Sequence, residues 1–209
     1  MKNYLVISLI FFLLIVFGNL YVFRIEQNNI TNYYKIAYDI SFNFIKAENT
    51  AKQFQNILKI MKEHNKTNRE FVTVIMKEIL INEPELFGIW TVWEPNKFDN
   101  KDKLFINQSG HDNTGRFIPY WNRGKNEYYF EPCVDFDRKD ERGDYYNIPK
   151  NTRKSFITKP ITYKIAGKDI TVVSFCYPII INNEFLGVAG VDLSLDYLQN
   201  MIDKIHDDK

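Results

Sequence analysis

The residues of this sequence best suited to chemistry are one acid, a set of aromatic side chains and one arginine. Asp192 closes the run Gly187-Val188-Ala189-Gly190-Val191, just ahead of a helical pattern. A carboxylate there has two uses, capping the free amides of the following helix or facing a ligand. If it holds a cation, π-faces complete such a site, and Trp121, Tyr145, Tyr146 and Tyr163 are available for it. Tyr120-Trp121-Asn122-Arg123 offers a stacking face and a guanidinium for a planar or carboxylate ligand, although Arg123 equally suits an exposed strand end. Asp144 ends the stretch 135–144, which carries five acids. That stretch lacks the calcium-loop pattern, and Arg138, Lys139 and Arg142 offset its charge, so it reads as a solvated loop covering a pocket.

Other chemistries find no support. His64, His111 and His206 have no acid–base or metal partner at useful spacing, and neither a phosphate-binding glycine loop nor a nucleophile elbow occurs, so no enzymatic activity, metal or cofactor is expected. A net charge of +1 gives no argument for nucleic acid. Cys133 and Cys176 are the only cysteines, and a single bridge between them or two buried free thiols both account for the pair.

The elements that must position these residues follow from periodicity. Residues 171–181 are β-branched and aromatic, Asn182-Asn183 form a turn, and 185–191 make a second apolar strand that stops at Asp192. Pro178 marks a bulge or edge, and Gly187 and Gly190 clear one side of the second strand, as the floor of a pocket requires.

Upstream, residues 3–23 carry no charge and match the ~20 residues that span a bilayer, so 1–24 reads as an uncleaved signal anchor with the remainder outside. Behind it, residues 25–66 form a long helix with an unbroken three–four seam from Ile30 through Phe44, Phe54 and Leu58 to Met61. That seam packs on its own domain or on the same helix of a second subunit. Thr67 and Glu70 form a capping box for a second helix that Pro84 ends. Strands are expected at 87–93, 103–107, 116–121, 128–134 and 156–158, with a hairpin through Ala166-Gly167-Lys168 and a closing helix at 194–205. Residues 135–153 read as loop. Helices first, then strands, then a helix is an α+β order.

Asp144-Tyr145-Tyr146, Ile157-Thr158-Lys159-Pro160, Val173-Ser174, Tyr177-Pro178-Ile179 and Gly187 to Asp192 resemble, in order and spacing, the extracytoplasmic Cache sensor domains of bacterial chemoreceptors and sensor kinases, in particular the membrane-distal lobe of the double-Cache type. The resemblance implies a PAS-like antiparallel sheet carried on the long helix, a small ligand between sheet and covering loop, and homodimers that signal across the cell membrane. It implies a sensor lobe at 67–209 whose proximal lobe, second span and output module are absent. Amino-acid-binding members carry an Arg two residues before a Trp-Tyr pair; here Gly143 stands at that position, while the amine-anchoring acid is present as Asp192 and a second acid is replaced by Tyr163. The expectation is therefore a small polar, amine-like cation as ligand. The rival reading is a ligandless anchored module that dimerises or docks a protein through its long helix.

Overall fold

The computed structural model describes residues 2–124, 127–165 and 167–207, in two compact units, residues 43–200 and residues 1–42 with 201–209. Helix α1 (Lys2–Glu63) enters both. Most side chains of the predicted anchor lie outside the described residues. Among the described residues no helix is long and apolar enough to cross a membrane.

In the smaller unit Tyr33, Tyr34, Tyr38 and Phe42 of α1 are exposed. In the larger one the seam continues through Ala47, Ala51, Phe54 and Leu58, all 0% exposed, and packs on one face of the sheet. Helix α2 (Arg69–Asn82) lies on the same face through Val72, Met76 and Leu80. Its cap is Asn68, whose side chain accepts the Phe71 amide at 2.8 Å, rather than the Thr67 box. Asn reaches the orphan amides one residue closer to the helix.

The seven strands are all antiparallel. They are β1 (Leu86–Trp93), β2 (Pro119–Arg123), β3 (Tyr128–Pro132), β4 (Phe156–Ile157), β5 (Ile161–Ile165), β6 (Lys168–Ile181) and β7 (Glu184–Ser194), in the order β3-β2-β1-β7-β6-β4 with β5 also on β6. The β6–β7 hairpin turns on Asn182 and Asn183, both left-handed at φ 50° and 64°. Asn tolerates that region because its short side chain can bond locally. With a period of two, Ala189, Val191 and Leu193 face the helices while Val188, Gly190 and Asp192 face the other way. The second face is covered by α3 (Asp144–Thr152) and β5, and helix α4 (Leu195–Asp207) closes the chain.

Three further expectations need correction. Residues 103–107 do not form a strand. Asp102 accepts the Asn96 amide at 2.6 Å and the Arg69 guanidinium at 2.6 Å, which bends the chain into a 3-10 turn, Asp102–Leu104. Residues 144–152 are helix rather than loop, because Tyr145, Tyr146 and Pro149 supply a buried stripe that the surrounding polar residues conceal. β7 runs three residues past 191, so Asp192 lies inside a strand and does not cap α4; the Ser194 hydroxyl accepts the Asp196 amide at 3.1 Å instead. Of the two readings of the cysteine pair, the free one holds: Cys133 and Cys176 are both buried thiols.

Candidate functional site

The sheet face opposite α1 and α2 encloses a cavity of about 70 Å³ at the centre of strands β1, β7 and β6. Asp192 is its electrostatic centre and is 4% exposed. Its neighbours follow from register. Ser174 of β6 stands directly opposite and donates its hydroxyl to Asp192 Oδ1 at 2.7 Å. Trp90, on the other neighbouring strand, donates its indole N–H to the same oxygen at 2.9 Å. The Tyr120 hydroxyl of β2 also acts on this carboxylate, and among the described residues no Lys, Arg or His pairs with it.

Removing a carboxylate from water disfavours its charge. Burial accordingly raises the Asp192 carboxyl above its ordinary value, while bonds from Ser174, Trp90 and Tyr120 oppose the rise. The Tyr120 hydroxyl is itself buried beside the cavity, next to this carboxylate. It is pushed well up by burial first and by the Asp192 charge second.

Aromatic rings form the walls. Tyr145 of α3 meets Trp90 edge to face at 4.9 Å and points its hydroxyl onto the Val134 carbonyl at 2.6 Å. Tyr163 of β5 packs edge-on to Tyr145 and gives its hydroxyl to the Arg142 carbonyl at 2.8 Å. Cys133, Glu131 and Lys164 complete the lining relevant to charge. The Tyr145 and Tyr163 hydroxyls are therefore engaged with protein acceptors, and their rings and the Asp192 carboxylate line the cavity. Such a surface suits a small cation.

Of the predicted site residues, three meet here: Asp192, Tyr145 and Tyr163. Tyr146 points away from the cavity, with its hydroxyl bonded to Glu94, which also takes Lys150 at 2.7 Å. The Glu94 carboxyl is pushed up by burial, but Lys150 and Tyr146 outweigh this and hold it low. Trp121 is on the helical face because strand alternation puts Tyr120, and not its neighbour, toward the cavity. Its indole donates to the Thr73 carbonyl at 2.9 Å. Arg123 holds the end of α2 through the Leu80 carbonyl at 2.5 Å and the Glu83 carbonyl at 3.2 Å. Asp144 opens α3, where an acid favours the positive helix end, and does not line the cavity. Arg142 is likewise outside, its Nε on Asp135 at 2.8 Å.

Trp90 and Ser174 were not anticipated as site residues, and Tyr120 only as part of the stacking run 120–123. The signal for two of them was present in the glycines. A side chain at Gly88 would strike the Tyr120 ring at 2.4 Å, and one at Gly190 the Trp90 ring at 2.3 Å. These glycines make room for aromatic walls rather than for a ligand, and Gly187 is filled by the β1 backbone.

The fold is shared with sensory proteins of known structure. The chain matches the family described as methyl-accepting chemotaxis protein-like, first PDC sensor domain, over residues 72–200. It is 28% identical to methyl-accepting chemotaxis protein TlpQ of Pseudomonas aeruginosa, across 63% of this chain and 20% of that protein. Among solved structures, Methyl-accepting Chemotaxis protein X superposes with a TM-score of 0.73 at 25% identity, covering 84% of this chain and 64% of the other. The extracellular domain of mmHK1S-Z3, assigned as a histidine kinase, gives 0.69 at 31% identity, covering 79% and 57%. The chain thus spans about a fifth of the curated relative and less than two thirds of these structures. With a family match over more than half its length, on an α+β fold of the same kind, this chain belongs to the methyl-accepting chemotaxis protein-like PDC sensor domains.

Proposed function

We propose that the chain is the extracytoplasmic ligand-sensing part of a membrane-anchored receptor, of chemoreceptor or sensor-kinase type. In this reading residues 1–24 are the anchor in the cell membrane, and the PDC domain is the membrane-distal lobe of a double-Cache arrangement. It binds a small amine-like cation and catalyses no reaction. The observation that carries this is Asp192, a buried carboxylate facing aromatic rings with no cation of its own among the described residues. A buried charge is paired or neutralised, and an ammonium ligand supplies the pair. The basic side chain in the lining is Lys164, with no guanidinium among the described lining residues to clamp a ligand carboxylate through two parallel bonds.

Signalling would proceed by population shift. A cation drawn between Asp192 and Tyr145 favours one position of α3 on the sheet, and α1 packs on the other face of the same strands. The test is calorimetric titration of the full chain in detergent with amines, amino acids, purines and organic acids. Saturable binding is expected for amines alone and lost in Asp192→Ala. Undiminished binding in that variant removes Asp192 from the site.

A second reading has its own observation. Between α1 and α2 runs a groove in which Ile57, Phe71 and Val74 are 36%, 57% and 52% exposed. An apolar groove of this kind suits self-association through the long helix, with or without a ligand. A chain that crosslinks as a dimer and binds no member of the panel would favour the ligandless module.

A further inference from the structure

We propose that Arg142 is a clasp across the mouth of the cavity, tying β5 to the segment that follows β3, and that a ligand enters when β5 swings away. This rests on the reading above only in that the cavity admits a ligand, whatever its identity.

The floor of the cavity is closed. Trp90, Tyr120, Ser174 and Asp192 come from β1, β2, β6 and β7, and none is more than 8% exposed. Each of these strands has a hydrogen-bonded neighbour on both sides, so the floor does not part. The mouth lies between two lips of the lining, residues 131–134 and residues 163–165 of β5, where Val134 and Lys164 are exposed.

The first lip is fixed along its length. Glu131 takes the Asn122 side-chain amide at 2.7 Å, the Cys133 N–H donates to the Ile118 carbonyl at 2.7 Å, and the Val134 carbonyl accepts the Tyr145 hydroxyl at 2.6 Å. β5 is held differently. It pairs with β6 alone, largely along residues 168–171, and the pairing of β6 with β7 ends at Val172. This ribbon therefore overhangs the sheet, and two strands without a third are marginal by themselves. Ile165 separates the cavity from a recess of about 620 Å³ lined also by Phe87 and Tyr129, which leaves β5 room to move.

The polar tie of β5 to the opposite wall is Tyr163. Its hydroxyl donates to the Arg142 carbonyl at 2.8 Å, and the Arg142 guanidinium lies over its ring at 5.2 Å. The same guanidinium donates through Nε to Asp135 at 2.8 Å, and Asp135 directly follows the fixed lip. One arginine thus holds both sides of the mouth. Its pair with Asp135 is open to water, with side chains 41% and 25% exposed. A pair of that kind is weak and salt-sensitive, which suits a clasp that must release.

Cys133 lines the cavity beside the mouth and reads its opening without any ligand. Since Cys133 and Cys176 are the only cysteines, the full chain carrying Cys176→Ala in detergent has one thiol, whose reaction is followed by mass spectrometry. Two neutral reagents are compared, methyl and benzyl methanethiosulfonate. Tyr163→Phe keeps the ring and loses the hydroxyl bond, and should speed the benzyl reagent about two- to tenfold and the methyl reagent less. Asp135→Asn should speed it about two- to fivefold, and should abolish the acceleration that the parent chain shows between about 0.1 M and about 1 M salt. Tyr146→Phe, which frees α3 from Glu94, should leave both rates unchanged. In a Cys133→Ala background, Cys176 should stay unreactive in every variant, as local opening requires. Unchanged rates in both clasp variants overturn the proposal, as does a larger effect of Tyr146→Phe, equal acceleration of the two reagents, or a Cys133 that reacts in none of them. None of these readouts involves an amine, so the calorimetric titration stands or falls separately.

Discussion

Replacing Trp90 by Phe tests the electrostatics of the cavity with little change of shape. Trp90 is 3% exposed, donates to Asp192 Oδ1 at 2.9 Å, and fills the space left open by Gly190. Phe keeps an aromatic ring edge-on to Tyr145 but loses the N–H and part of the volume. The lost volume costs about 1 kcal/mol, with no dependence on pH. The lost hydrogen bond does depend on pH. Against a neutral carboxyl it costs about 0.5–1.5 kcal/mol, and against an ionised one about 1.5–3 kcal/mol. The total should therefore rise from about 2 kcal/mol on the acid side of the Asp192 titration to about 3 kcal/mol on the alkaline side. A difference of about 1 kcal/mol corresponds to a further rise of somewhat under one unit in the Asp192 pKa. Urea unfolding of wild type and variant at several pH values reads both quantities. Equal destabilisation at every pH would refute the claim that this N–H acts on a titrating Asp192.

Three further outcomes are expected. Because burial raises the Asp192 carboxyl in the folded chain, its stabilising contribution is complete below the ordinary value of 3.8 and is lost as pH rises through the raised folded value. Melting temperatures across pH should show wild type losing ground to Asp192→Asn over that interval and then levelling; a constant offset would contradict it. Gly88→Ala places a methyl against the Tyr120 ring at 2.4 Å, so that ring must move, at a cost of about 1–3 kcal/mol. Amine affinity should fall with it, and a variant with unchanged melting and binding would show the contact to be slack. Arg69→Met leaves Asp99 and Asp102 without the guanidinium that bonds them at 2.7 and 2.6 Å, and should destabilise by about 3–5 kcal/mol in urea unfolding. A loss below 1 kcal/mol would mean that water replaces the arginine there.

The architecture was largely legible in the chain because it rests on period. The three–four seam of α1 from Ala47 to Met61, the alternation of β7 and the Asn182-Asn183 turn each follow from residues close in sequence. Helix α3 was not, since its buried stripe consists of Tyr145, Tyr146 and Pro149 in a stretch whose charges read as loop. The 3-10 turn at Asp102 was hidden for a related reason: the partner that bends it, Arg69, lies 33 residues earlier.

The candidate site divides in the same way. The sequence alone determined that a carboxylate at 192 ends a glycine-bearing apolar strand, and that Tyr145 and Tyr163 are aromatic groups available to it. Which face each side chain occupies was decided by tertiary structure. Trp121 and Arg123 went to α2 and Tyr146 to Glu94, whereas Tyr120, Trp90 and Ser174 came to Asp192. The physical reason is that strand register sets the meeting of side chains across a sheet. A shift of one residue in β2 would have exchanged Tyr120 for Trp121, and in β6 it is the irregularity between Ile179 and Ile180, beyond the Asn182-Asn183 turn, that brings Ser174 opposite Asp192.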